Sequence, residues 1–200
     1  MSPSPEVSSL HKTSPAGGQA HSEFSPQERA FLVNVAHQSI EAALEHRELS
    51  LDPPSARLAE PRGAFTTIYC RGDLRGCVGY VLPAKPLYLT VAETARAAAF
   101  DDPRFSPVTP EEAAIIKVSL SILSLVSAIQ PEVIEVGRHG LVIAQAGHRG
   151  LLLPQVAVEH GWGRVTFLEE TCRKAGLPRD AWKHGATLQA FTAEVFGDRM

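Results

Sequence analysis

The sequence has little of what marks several well-known classes of proteins. Its three cysteines, Cys70, Cys77 and Cys172, are an odd number without a Cys-x-x-Cys pair, which argues against a disulfide framework and a zinc knuckle. It also lacks the glycine-rich loops that bind nucleotides, the His-Glu-x-x-His motif of zinc proteases and the Gly-x-Ser-x-Gly motif of serine hydrolases. These absences remove the common nucleotide-binding, zinc-protease and serine-hydrolase interpretations.

The net charge does not indicate a nucleic-acid-binding protein, and the apolar stretches do not indicate a membrane-spanning helix. The formal net charge is -3, whereas nucleic-acid binders normally carry a basic face. The longest apolar run, residues 115–129, contains Lys117 and is shorter than the roughly 20 residues of a membrane-spanning helix. The first residues show no positively charged start followed by an apolar stretch, so we expect no signal peptide. We predict a soluble cytoplasmic protein, because unpaired cysteines fit a reducing compartment.

The chain divides into a short tail and one domain. Eleven of the first 24 residues are Ser, Pro or Gly, a composition typical of disorder. A chain of 200 residues with 44% hydrophobic content is long enough to bury the core of one compact domain. We therefore predict a disordered N-terminal tail over residues 1–24 and a single domain over residues 25–200.

Local patterns predict a mixture of helices and antiparallel strands. Residues 25–28 form a capping-box pattern that begins a helix, and residues 87–100 form an alanine-rich second helix. Apolar and polar residues alternate over residues 116–122, which is typical of a half-buried strand, and residues 187–196 predict a closing strand. Since these elements follow no regular strand-helix-strand order, we expect an α+β fold with an antiparallel β-sheet flanked by helices.

A predicted β-hairpin carries the segment with the most potential chemistry. Two strand-like segments flank Arg71-Gly72-Asp73, a turn pattern. A two-residue loop of Gly72 and Asp73 would place Ile68 opposite Cys77. Because side chains alternate between the two faces of a strand, Arg75 and Cys77 would share one face. The other face, which we expect to pack on the core, would carry Phe65, Thr67, Tyr69, Leu74, Val78 and Tyr80.

Cys77 is the leading candidate for a catalytic residue. Arg75 lies two residues away on the same face, roughly 7 Å along the strand, close enough to favour the thiolate and to hold an anionic group of a substrate. Gly76 and Gly79 carry no side chains, so a substrate could approach the backbone beside the sulfur. The alternative is a buried structural cysteine, which is the commoner role of a free cysteine.

Two further residues could transfer protons. His139 lies between Gly137 and Gly140 at the start of a strand-like segment. It is either an acid-base group or a turn histidine bonded to the backbone. Glu159 lies near the end of a short predicted helix, and we include it as a second candidate for proton transfer.

The sequence predicts no metal site and no cofactor. Asp101 and Asp102 are adjacent carboxylates, but no third ligand lies at a suitable spacing. We expect a polar loop that pairs internally with Arg104. A second pair, Glu93 and Arg96, is three residues apart on the second helix and is also expected to form an ion pair.

Several segments taken together resemble one known family. They are Leu74-Arg75-Gly76-Cys77-Val78-Gly79, Asp102-Pro103-Arg104-Phe105-Ser106-Pro107-Val108, His139-Gly140-Leu141, Gly150-Leu151-Leu152-Leu153-Pro154-Gln155-Val156-Ala157, Gly161-Trp162 and Cys172-Arg173-Lys174-Ala175-Gly176-Leu177. In this order they are similar to the AMMECR-type domain family, whose prokaryotic members are called AmmeMemoRadiSam system protein A. The resemblance implies a two-lobed α+β fold with an antiparallel sheet and the glycine-flanked Cys77 as its signature. It also implies an association with a Memo-type protein and a radical S-adenosylmethionine enzyme.

Two functions fit these features. In the first, the protein is an enzyme or enzyme component in which Cys77 is the nucleophile or covalent holder, Arg75 binds an anionic group, and His139 or Glu159 moves protons. In the second, the same hairpin is a docking surface for a partner protein, and Cys77 is a small packing residue. We favour the first, because a thiol, an arginine and two glycines suit a pocket better than a flat interface.

Overall fold

The computed structural model describes residues 22–199, which form five α-helices and eight β-strands. The helices are α1 (Pro26–Leu44), α2 (Leu87–Phe100), α3 (Pro110–Ala113), α4 (Pro154–Glu159) and α5 (Arg164–Lys174). The strands are β1 (Ala64–Cys70), β2 (Asp73–Tyr80), β3 (Lys117–Leu123), β4 (Ser127–Ala128), β5 (Gly140–Gln145), β6 (His148–Leu152), β7 (Thr187–Phe191) and β8 (Ala193–Gly197). Short 3₁₀ turns lie at Ala56–Ala59, Pro131–Val133 and Ala181–Lys183.

The long first helix begins where the sequence predicts it. The Ser25 hydroxyl accepts the backbone N–H of Glu28 at 3.2 Å, and the Glu28 carboxylate accepts the backbone N–H of Ser25 at 2.8 Å. This reciprocal capping box satisfies two amide groups that the first turn of a helix leaves free. The second helix likewise has the predicted bounds, Leu87–Phe100.

The strands form two four-stranded antiparallel sheets. Sheet A has the strand order β2-β1-β3-β8, and sheet B has the order β4-β7-β5-β6. Helices α1 and α2 pack with one face of sheet A around a core that includes Leu32, Ile40 and Ile68. The core on sheet B includes Leu141, Phe167 and Leu168. The predicted α+β fold with two lobes is therefore confirmed.

The chain crosses between the two sheets at two neighbouring points. One crossing follows β3 and passes through Ser124, and the other lies at Thr192, between β7 and β8. The backbone N–H of Ser124 donates to the carbonyl oxygen of Thr192 at 2.9 Å, and the Thr192 N–H donates to the Ser124 hydroxyl at 3.0 Å. The prediction of one strand over residues 187–196 was therefore wrong, because β7 pairs in sheet B and β8 in sheet A.

The predicted tail lies mostly outside the described residues, which begin at Ser22. Phe24, which the prediction placed in the tail, is 2% exposed and packs against the core of sheet A. Its ring lies 6.3 Å from that of Phe196 on β8. The backbone N–H of Glu23 donates to the carboxylate of Glu194 at 2.7 Å, so the residues just before α1 are part of the domain.

The central hairpin differs from its predicted register. Its two-residue loop is Arg71 and Gly72, both with positive φ, 55° and 92°, the conformation that suits a tight hairpin. Tyr69 pairs with Leu74, but Ile68 pairs with Gly76, so Arg75 is the extra residue of a β-bulge.

The predicted core face of the hairpin was wrong for β1, whereas Val78 of β2 packs against the core as predicted. The residues of β1 that are fully buried under α2 are Ala64, Thr66 and Ile68. The hydroxyls of Thr66 and Thr94 lie 2.8 Å apart across this contact. By contrast, Leu74 and Tyr80, which were expected in the core, are each 42% exposed.

Candidate functional site

Cys77 lies on β2, one of the two outer strands of sheet A, on the face turned away from α2. Its cross-strand neighbour is Thr67, not Ile68 as predicted. The Thr67 hydroxyl donates a hydrogen bond to the Cys77 sulfur at 3.3 Å. Both residues are partly exposed, so the sulfur is neither fully buried nor free of contacts.

The backbone of Cys77 is held from the outer edge of the sheet by one loop. Its N–H donates to Asp102 Oδ2 at 2.9 Å, and its carbonyl oxygen accepts from Arg104 Nη2 at 3.3 Å. Because these groups point away from β1, Cys77 and Thr67 form a pair without backbone hydrogen bonds between them. Side chains come closest in such pairs, which explains the contact between the hydroxyl and the sulfur.

Asp102 is the buried centre of this arrangement, with 5% of the residue exposed. Besides the N–H of Cys77, its carboxylate accepts the backbone N–H of Arg104 at 3.1 Å and Arg104 Nε and Nη2 at 3.0 and 2.7 Å. The hydrogen bond from the Arg104 side chain holds the pKa of Asp102 well below its ordinary value, although burial acts in the opposite direction. The carboxylate is therefore ionised and fixes the position of Arg104.

Arg104 is the cation that contacts the backbone of Cys77. Its pKa is raised, mainly by the hydrogen bond to Asp102. The side chain is 55% exposed, and its Cζ lies 5.4 Å from the centre of the Phe105 ring. The predicted pairing of this loop with Arg104 is present as the Asp102–Arg104 ion pair.

Arg75, to which the sequence assigned the role beside Cys77, has another partner. Its Nε and Nη2 donate to the two carboxylate oxygens of Glu112 at 2.9 and 3.0 Å, and Nη2 also donates to the Pro107 carbonyl oxygen at 3.2 Å. The hydrogen bond between the side chains raises the pKa of Arg75 and lowers that of Glu112. An anionic ligand at Arg75 would have to compete with Glu112.

The two glycines that flank the sulfur have close neighbours of their own. A methyl group on Gly76 would overlap the carbonyl oxygen of Ala98, and one on Gly79 would overlap the ring of Phe65. Gly76 thus allows α2 to approach β2. Both glycines therefore have a role in packing. Their role in substrate binding remains a prediction.

The two candidates for proton transfer lie in the lobe of sheet B, outside its strands. His139 precedes β5, and its Nδ1 accepts the backbone N–H of Glu135 at 3.0 Å. Burial, together with the charge of Arg138, lowers the pKa of His139. Glu159 is exposed at the end of α4. Within residues 22–199, neither side chain forms a hydrogen bond to Cys77, so their catalytic roles remain predictions.

Comparison with known proteins decides the family. A family model described as AMMECR1 matches residues 33–196. The chain belongs to the AMMECR1 family. It is 41% identical to Protein MK0488 of Methanopyrus kandleri over 182 residues, which cover 85% of this chain and 88% of that protein. A protein of Aquifex aeolicus is 38% identical over 178 residues, covering 84% of this chain and 91% of its own length.

A solved structure supports the fold of this AMMECR1 family member. The crystal structure of the uncharacterized protein PH0010 from Pyrococcus horikoshii aligns with a TM-score of 0.71 at 38% sequence identity, covering 86% of this chain and 92% of that one. The predicted resemblance to the AMMECR-type family is thereby confirmed. None of the helices in residues 22–199 combines the length and the hydrophobicity that a membrane-spanning segment requires.

The sequence prediction did not identify two residues of this site. Thr67 was placed on the opposite face from Cys77, because the prediction did not include the bulge at Arg75. Asp102 was assigned to its loop but not to Cys77. The only available signal was that the Asp102-Pro103-Arg104 segment and the Cys77 segment both carry the family resemblance.

Proposed function

We propose that this AMMECR1 family member is an enzyme or an enzyme component that uses the thiol of Cys77 as nucleophile or covalent holder. The observation that carries the proposal is the hydrogen bond from the Thr67 hydroxyl to the Cys77 sulfur at 3.3 Å. A hydrogen bond donated to sulfur favours its charged form, and the thiolate is the reactive form of cysteine.

The surrounding contacts suit a positioned nucleophile. The backbone of Cys77 is fixed on its outer side by Asp102 and Arg104, and the Thr67 hydroxyl contacts the sulfur itself. A fixed nucleophile reacts faster, because less freedom is lost on reaching the transition state.

Arg104 is placed to bind an anionic group of the substrate. Asp102 fixes its Nε and Nη2, whereas Nη1 forms no hydrogen bond within residues 22–199. In this proposal Arg104 holds the anionic group, with Arg75 as the alternative anion-binding residue if the Glu112 ion pair opens. His139 and Glu159 remain the candidates for moving protons.

We propose that this chemistry takes place in the cytoplasm, together with a Memo-type protein and a radical S-adenosylmethionine enzyme. The support for these partners is the sequence resemblance to the AmmeMemoRadiSam system. The support for the compartment is the free state of Cys70, Cys77 and Cys172.

A second candidate function is a docking module without catalysis. It is favoured by the exposure of Leu74 and Tyr80 on β2, each 42% exposed, because a partner that covers the hairpin would remove this apolar area from water. In this case a partner would contact the β1–β2 hairpin, and Cys77 would serve only packing.

Joint purification with the Memo-type protein and the radical enzyme, followed by peptide mass spectrometry, separates the two candidates. We expect a covalent adduct on the Cys77 peptide that is absent from the Cys77→Ser variant. Cys172 is the internal control, because it is 0% exposed and burial raises the pKa of its thiol. A complex that forms equally well with Cys77→Ser, carries no adduct and is lost in Leu74→Glu would instead support the docking module.

A further inference from the structure

A groove of about 700 Å³ lies between α1, α2 and the connector that follows α1. Its volume is within the range of roughly 300–1,000 Å³ that is typical of sites for small ligands. It is on the helical side of sheet A, whereas Cys77 faces the other side. The groove is therefore separate from the site proposed above.

The floor of this groove is apolar. It is formed by alanine and leucine side chains from both helices and the connector, namely Ala42, Ala43, Leu49, Leu51, Leu89 and Ala92. Leu89 is 39% exposed although it lies on a helix that packs on the core. A leucine exposed inside a concave surface can bury further apolar area when a ligand binds.

The remaining lining residues form a polar rim, which consists of Ser39, His46, Arg47, Lys85, Glu93 and Arg96. Its three basic residues, Arg47, Lys85 and Arg96, are opposed by the single acidic residue Glu93. Two of the cations are neutralised. Lys85 pairs with Glu93 at 2.6 Å, and Arg47 pairs with Glu45, a neighbour outside the groove lining, at 2.5 Å.

Arg96 is the remaining cation of the rim. It was predicted to pair with Glu93, but Glu93 binds Lys85 instead. Within the described part of the chain, residues 22–199, Arg96 forms neither an ion pair nor a side-chain hydrogen bond, and it is exposed. A free guanidinium can bind one carboxylate through two parallel hydrogen bonds.

We propose that this groove binds a small amphipathic carboxylate, with the carboxylate on Arg96 and an apolar chain along the leucine and alanine floor. Charge complementarity selects an anion, because the positive charge that is left unpaired on the rim belongs to Arg96. The apolar floor selects a ligand with a hydrocarbon chain over a fully polar acid. The inference does not depend on the chemistry of Cys77.

Calorimetric titration of the full chain with monomeric decanoate tests this proposal. We expect saturable binding of one decanoate, and binding at least about tenfold weaker to Arg96→Gln, since hydrogen bonds to charged groups contribute more than neutral ones. Leu89→Glu should abolish binding, because it places a carboxylate on the apolar floor. Decanol, which has the same chain without the charge, should bind at least about tenfold more weakly than decanoate to the wild-type protein.

Two controls make the result specific to the groove. Arg149→Gln removes an exposed arginine of sheet B and should bind decanoate as the wild type does. Cys77→Ser should also bind normally, which separates this proposal from the function of the thiol. Circular dichroism of each variant establishes that it is folded.

The proposal is overturned if decanoate does not bind, or if Arg96→Gln and Leu89→Glu, both folded, bind it unchanged. The proposal is also overturned if the protein sediments with anionic vesicles but does not bind monomeric decanoate. That result would assign the groove to binding a membrane surface. The proposal is likewise overturned if the protein does not bind decanoate but dimerises with rising concentration, and Leu89→Glu abolishes the dimer. That result would assign the groove to contact with a second copy of the chain.

Discussion

The carboxylate of Asp102 accepts the backbone N–H of Cys77 with an Oδ2–N distance of 2.9 Å. Cys77 lies on an outer strand of sheet A, where this N–H would otherwise have no strand to pair with. The same carboxylate holds Arg104, which donates to the carbonyl oxygen of Cys77. One loop therefore satisfies both backbone groups of an edge residue and closes this stretch of the edge to another strand.

Replacing Asp102 by Asn should destabilise the protein. The amide group offers one acceptor oxygen in place of two and turns an N–H toward the donors of Cys77 or Arg104, so a buried donor loses its partner. We expect the free energy of unfolding to fall by about 1–3 kcal/mol, as measured by urea denaturation at pH 7. Asp101→Asn, at the exposed neighbouring position, is the matched control and should change it by less than about 0.5 kcal/mol. Equal effects of the two substitutions would contradict the role of Asp102.

The carboxylate of Asp102 should also make the stability of the protein depend on pH in the acidic range. Its pKa is lowered in the folded protein, chiefly by the hydrogen bond from Arg104, so the unfolded chain takes up a proton at a higher pH than the folded one. The stability that Asp102 contributes is thus fully present above the ordinary aspartate pKa of about 3.9 and is lost as the pH falls through the folded value. The difference in unfolding free energy between wild type and Asp102→Asn should shrink below pH 4. If the difference in unfolding free energy between the two proteins stays constant below pH 4, the lowered pKa of Asp102 is contradicted.

Ser124 should contribute to the joining of the two sheets. Its hydroxyl accepts the backbone N–H of Thr192 at 3.0 Å where the two crossings meet. Ser124→Ala should lower the unfolding free energy by about 1 kcal/mol, because the Thr192 N–H loses its acceptor. Ser127→Ala is the control, since Ser127 is exposed on β4 and should tolerate the change within about 0.5 kcal/mol. No difference between the two variants would show that the crossing does not need this bond.

His139 should remain neutral to a lower pH than an ordinary histidine. Burial is the main cause of its lowered pKa, and the charge of Arg138 adds to it. The neutral Nδ1 accepts the N–H of Glu135, which a protonated Nδ1 cannot do. The stability from this contact is therefore present above a pH of about 6.5 and is lost as the pH falls through the folded pKa.

NMR titration of the imidazole measures this directly. The midpoint for His139 should lie below about 6.5, and Arg138→Gln should raise it, because a nearby positive charge is removed. A midpoint at or above the ordinary value, unmoved by Arg138→Gln, would show that His139 is solvated in solution.

Helix bounds could be read from the sequence where capping residues mark them. The capping box of Ser25 and Glu28 determines the start of α1 through local hydrogen bonds alone, so neighbouring residues suffice to predict it. The split between β7 and β8 could not be predicted in this way. Its apolar alternation continues on either side of Thr192, and only the partners in two different sheets decide where the chain crosses.

The sequence identified Cys77 and the hairpin of the candidate site, but it did not predict which side chains contact each other there. Cys77 and its hairpin were identified, but Arg71 adopts a positive φ that is uncommon for a residue other than glycine, and this moves the loop by one residue. The bulge at Arg75 then changes which residues face each other. Thr67 thus comes to lie beside the sulfur, and Arg75 pairs with Glu112. A single residue of register changes every side-chain contact of a strand.

The rate at which iodoacetamide modifies Cys77 at pH 7, followed by peptide mass spectrometry, tests the central claim most directly. We expect Cys77 in the native wild-type protein to react at least as fast as Cys77 in the protein unfolded by urea. The Thr67→Val variant keeps the side-chain shape but loses the hydroxyl, and Cys77 in this folded variant should react several-fold more slowly than in the native wild type. A Cys77 that is protected until the protein unfolds, or that reacts equally in both native proteins, would contradict the assignment of a reactive thiol.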